Sequence, residues 1–74
     1  MPRTVHELLE ANIRRHAYAK KMPLDAVARA SGISTERLLA ILSGDFDPDL
    51  QLLGRIAESM GVTAADLLTE PDLN

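Results

Sequence analysis

Between Ser34 and Gly44 the chain reads Ser-Thr-Glu-Arg-Leu-Leu-Ala-Ile-Leu-Ser-Gly. At about 100° per residue, Leu38, Ile41 and Leu42 gather on one side of a helix. Glu36, Ala40 and Ser43 gather on the other, flanked by Arg37 and Leu39 and preceded by Thr35. The outward set can recognise a surface of donors and acceptors. Glu36 accepts from an amino group such as cytosine N4, and Ala40 fits a thymine methyl. Ser43 bonds to a base or a phosphate, and the Arg37 fork suits guanine or phosphate. The chemistry on offer is thin but coherent: contact with a nucleic-acid groove.

Other chemistries lack their parts. There is no cysteine, and no Ser-His-acid set or Gly-rich phosphate loop that this pattern would assemble. His6 and Glu10 stand at i, i+4, but two ligands on a fraying helix end make no metal site. No enzyme activity and no cofactor are expected. His16, on the apolar face of its helix, reads as a hydrogen-bonded boundary histidine.

Charge gives mixed guidance. The net charge of −3 hides a division. Residues 1–37 hold seven bases against four acids, and residues 38–74 hold one base, Arg55, against seven acids. Lys20, Lys21 and Arg29, with Arg14 and Arg15, are the candidate phosphate contacts, and Arg37 could serve there too. Asp45, Asp47 and Asp49 oppose them. Phosphate neutralisation supplies most non-specific affinity, so binding by one copy is expected to be weak.

These side chains need helices to position them. Thr4 and Glu7 form a capping box ahead of Val5, Leu8, Leu9, Asn12, Ile13 and His16 at helical spacing. A first helix is predicted over about residues 4–20. Pro23 suits a first turn and Asp25 the positive end of a helix, opening a second helix over about 24–31 that stops at Gly32. Ser34 caps a third over about 34–42. "SGDFDPD" reads as a loop. Asp49 caps a fourth helix over about 50–60, with Leu50, Leu53, Ile56, Ala57 and Met60 on its apolar face. Thr63 and Asp66 form a second capping box for a short helix over about 64–69. Residues 70–74 read as a polar tail.

Seventy-four residues make a single predicted domain, 1–74, with a small core. Tyr18 and Phe46 are the only aromatic residues, so aliphatic side chains must fill that core, which favours an all-α fold. No apolar run reaches the ~20 residues that span a bilayer. With no apolar leader segment at the start, a cytoplasmic protein without a membrane partner is expected. Leu67, Leu68 and Leu73, on or after a helix too short to bury them alone, are the expected contacts of a homodimer through helix 5 or the helix 4–5 edge.

One further pattern is fairly specific. Small Ala28, then Gly32 four positions on, then apolar Ile33, Leu38 and Ile41 are the spacings of two helices crossing at a tight turn. "LDAVARASGIS", "STERLLAILSG" and "LLGRIAESMGVTAADLL" together resemble the Cro/C1-type (XRE-like) helix-turn-helix domains of phage repressors, bacterial regulators and antitoxins. The likeness covers about residues 9–68. It implies a five-helix, lambda repressor-like bundle with its third helix in the major groove of double-stranded DNA. The sequence departs from that family at the start of helix 2, where Leu24 replaces a common Gln. Ala17 replaces a common Arg in helix 1, and the loop before helix 4 is acidic rather than basic. These departures keep a rival open: a degenerate helix-turn-helix serving as a protein–protein interaction module, antitoxin- or co-regulator-like, that binds little DNA.

Overall fold

The computed structural model describes residues 4–70, folded as five α-helices with no strand among them. They are α1 (Val5–Ala19), α2 (Leu24–Ser31), α3 (Thr35–Ser43), α4 (Leu50–Ser59) and α5 (Ala64–Leu68). The fold class is the one the sequence implies. Each start has a local cause. Thr4 accepts from the Glu7 amide while the Glu7 carboxylate accepts from the Thr4 amide, closing the first capping box. Ser34 accepts from Arg37 N–H and Asp49 from Leu52 N–H. Thr63 and Asp66 close the second box. Only α2 starts without a side-chain cap, behind Pro23. The caps stand outside the helices they open, so α1 and α3 begin one residue later than the pattern predicts.

The ends follow backbone chemistry. Gly32 (φ 79°) and Gly44 (φ 86°) take left-handed conformations that a Cβ disfavours. At Gly44 a Cβ would also lie 3.0 Å from the His6 ring, so the end of α3 and the start of α1 are in close contact. After α1 the corresponding turn is made by Lys21, whose φ of 57° is a strained value for a residue with a side chain.

The core is aliphatic. Ile13, Val27, Leu38, Ile41, Ile56 and Leu67 have no exposed surface, and Leu9, Ala17, Ala28, Leu42, Leu53, Ala57 and Met60 complete the centre. The helix α2 packs most extensively on α4, and α1 packs on α5 and α3. Three expectations change here. Leu67, expected to reach a second copy, is fully buried in the monomer, because it faces inward between α1 and α4. Leu68 is exposed, and Leu73 lies outside the described residues. Leu50 and Val5, expected on apolar faces, are exposed, since each is the first residue of its helix and projects past the core.

Two polar side chains are buried among these residues: Ser31, whose hydroxyl donates to the Val27 carbonyl, and Asn12. Asn12 donates its amide N–H groups to the carbonyls of Leu67 and Thr69, both at 2.8 Å, and accepts from Arg15 at 2.9 Å. It thereby serves the carbonyls that the short α5 leaves without helical partners. Helical spacing carries no sign of this role, since Asn12 merely continues an apolar series.

His16 departs from expectation. Its Nε2 is buried and has no hydrogen-bond partner among the described residues. Burial, then the positive charge of Arg15, lowers its pKa from the usual 6.5, against an opposing pull from Asp66. The folded state therefore favours neutral His16, and the unfolded chain binds the proton more readily. Stability should be full above about pH 6.5 and fall as acidification passes that value toward the lower folded pKa. A series of melting curves between pH 7.5 and 5 is expected to show this slope, and His16→Leu to flatten it. Asp66, held below its usual 3.8 by hydrogen bonds from Thr63, contributes only in a separate window, at and below pH 4.

Candidate nucleic-acid interface

The helix α3 is anchored on its inner side and open on its outer side. Leu38, Ile41 and Leu42 are buried, so Leu42 does not join Leu39 in an exposed apolar patch. Outward, Ser34, Glu36, Arg37 and Ala40 line one shallow depression together with Phe46. Three of the six residues expected to read bases thus share a surface. Thr35 is half-buried at the first turn and Leu39 is 45% exposed. Ser43 is engaged within the chain: its hydroxyl lies 3.2 Å from the Ala40 carbonyl and 3.1 Å from the Asp45 carboxylate.

The loop after α3 builds the far wall of this depression. With Gly44 left-handed, the Asp45 and Phe46 amides both return to the Ala40 carbonyl, at 2.8 and 3.2 Å. That fold-back lays the Phe46 ring under Arg37, whose guanidinium carbon is 4.7 Å from the ring centroid. The contact joins residues nine apart across a turn, so the helical spacing of the sequence carried no signal for it.

The basic residues are distributed less favourably. Arg14 pairs with Glu10 and Arg29 with Asp25, each at 3.3 Å and well exposed. Pairs of this kind are worth little and exchange readily for another anion. Arg15 is turned to Asn12. Lys20 sits by the end of α4, its ammonium 3.7 Å from where a Cβ on Gly61 would be, which suits the negative end of that helix. Arg55 was not singled out by the sequence, yet its guanidinium lies 4.0 Å from a Cβ position on Gly32. It flanks the turn between α2 and α3 from a helix remote in sequence.

The departures at Leu24 and Ala17 have structural causes. Ala17 is buried in the core and Leu24 packs against it. Both positions serve packing here, and neither offers a polar group outward.

Comparison with known proteins agrees with this geometry. The structure is similar to a hypothetical transcription factor, NHTF, from Neisseria, with a TM-score of 0.87 at 23% identity. That match covers 96% of this chain and 84% of the other, and at this identity it speaks for the fold. Two structures of the clp gene regulator ClgR from Corynebacterium glutamicum are similar at 27% identity. Their TM-scores are 0.80 and 0.79, covering 89% and 90% of this chain and 70% and 87% of theirs. No curated protein matches. The sequence pattern of the helix-turn-helix family matches residues 12–67, which run from the Asn12 anchor to the last core leucine. The chain belongs to the Cro/C1-type helix-turn-helix family.

Proposed function

We propose that this protein is a DNA-binding transcription regulator that lays α3 in the major groove and acts as a dimer. The observation that carries the reading is the outward face of α3. Its first turn is capped by Ser34, and Glu36, Arg37 and Ala40 share one open surface there. The similarity to proteins described as a transcription factor and a gene regulator supports the same reading. In this arrangement Arg37 holds guanine or phosphate, Ala40 meets a thymine methyl, and Glu36 accepts from cytosine. Arg14, Arg29 and Lys21 supply phosphate contacts.

Two copies are needed because a single α3 presents so few groove-reading side chains, Glu36, Arg37 and Ala40. Half-sites one helical turn apart are separated by about 34 Å, and the molecule is 32 Å in its longest dimension. Side by side, two copies span that distance. Their contact is proposed at the exposed Val5, Leu50 and Leu68, which rim an apolar groove of about 380 Å³.

The test is fluorescence anisotropy on duplexes selected by the protein from a random pool, over a salt series. Wild type should bind with salt dependence and with two chains per duplex. Arg37→Ala should cost about 1–3 kcal/mol on its preferred duplex with relaxed specificity at one base pair, if it meets guanine. If it meets phosphate, the loss should be uniform and the salt slope should fall by about one. Asp45→Asn with Asp47→Asn should strengthen binding in either case. A second reading, the protein-interaction module, draws on Leu39 at 45% exposure on α3 and on the acidic residues of the loop that follows. An absence of salt-dependent binding even at low ionic strength would leave that reading, with Leu39→Glu expected to abolish capture of the partner.

A further inference from the structure

The loop after α3 carries two carboxylates and one ring, and the Arg37 guanidinium stacks on the ring. Asp45 and Asp47 flank Phe46 in sequence, but the Asp45 carboxylate is taken by the Ser43 hydroxyl. Among the described residues Arg37 has no ion pair, and its side-chain contact is the Phe46 face at 4.7 Å. The difference matters for recognition. An ion pair would occupy the in-plane N–H groups of the guanidinium. A ring contact occupies its face and leaves the edge, with all five N–H donors, for another partner. The ring is itself fixed, since Phe46 packs against the core and its amide is tied to the Ala40 carbonyl.

We propose that Phe46 is a positioning residue for DNA recognition: its ring holds the Arg37 guanidinium by the face and presents the free edge to a pair of acceptors on the duplex. The proposal rests on the DNA-binding reading above. A guanidinium held this way loses less side-chain freedom when it binds than a free arginine does. Guanine O6 and N7 are the acceptors it fits best, because a bidentate fork matches them in the plane of the base. Two phosphate oxygens share that chemistry.

The experiment is a double-substitution cycle in DNA affinity. Wild type, Phe46→Leu, Arg37→Ala and the combined variant are titrated on the duplex that the wild type prefers and on single-base variants of it. Phe46→Leu keeps an apolar side chain on the core but removes the ring face. It should weaken binding about two- to fivefold, the size of a partly exposed cation–π contact. The same change in the Arg37→Ala background should do nothing. Phe46→Trp, which keeps a ring, should bind like wild type. Loss confined to duplexes with one particular guanine identifies a base contact, and uniform loss identifies phosphate; both agree with positioning. Equal weakening by Phe46→Leu in both backgrounds, or failure of Phe46→Trp to retain affinity, would overturn the proposal. If Phe46→Leu melts near the assay temperature, Phe46→Met replaces it in the same cycle. A wild type that binds no duplex at low salt defeats the DNA-binding reading and this proposal together. A wild type that binds without coupling between the two residues defeats the proposal alone.

Discussion

Asn12→Leu is expected to destabilise the protein by about 2–4 kcal/mol. The side chain is buried and serves two carbonyls at once, those of Leu67 and Thr69. Leucine is close to asparagine in size and would fill the space. It would leave both acceptors without donors, and a stranded buried acceptor costs about 1–3 kcal/mol. The Thr69 bond is only partly buried, so water recovers some of that loss, and the sum falls below twice the upper figure. The same change frees Arg15, whose guanidinium donates to the Asn12 carbonyl oxygen, but that group is exposed and finds water. Urea denaturation followed by circular dichroism reads the result. An unchanged midpoint would mean that α5 does not depend on α1 for its last carbonyls. For a domain this small, a loss of this size removes a large share of the total stability.

Ala28→Leu is expected to cost about 1–3 kcal/mol by overpacking. Ala28 is 1% exposed on α2, the helix that packs against both α3 and α4. Its carbonyl also accepts from the amides of Gly32 and Ile33, so the backbone at this point is committed to the turn. Three added carbon atoms must push α2 away from its neighbours, and the displacement passes to the orientation of α3. Thermal denaturation should therefore show a lower midpoint. DNA affinity should fall by more than the residual folded fraction explains. A melting curve matching wild type would show that the crossing has room to spare.

These two residues mark what the sequence discloses and what it conceals. Ala28 was legible because the turn is local: a small residue, a glycine four positions on, and apolar residues at set distances after it. The caps were legible for the same reason, since Thr4 with Glu7, Ser34, Asp49, and Thr63 with Asp66 each act within three residues. Asn12 was hidden because its partners are 55 and 57 residues away. Leu67 was misplaced because α5 is too short for a period to show which of its leucines faces in. On the outward face of α3, the shared surface of Glu36, Arg37 and Ala40 followed from helical spacing. The engagement of Ser43 with Asp45, and the ring under Arg37, depended on a loop whose path the residue types do not specify.

The long reach of the Asn12 bonds also bears on time. The middle helices follow one another through short turns, and α2 packs on both α3 and α4, so these contacts close shorter loops than the joining of α1 to α5 does and form at lower entropic cost. Joining α1 to α5 closes almost the whole chain and so belongs late, on the native side of the barrier to folding. An interaction made after the barrier governs how fast the native state is lost and has little influence on how fast it is reached. Asn12→Leu is therefore expected to speed the loss of the native state while leaving the rate of assembly nearly unchanged.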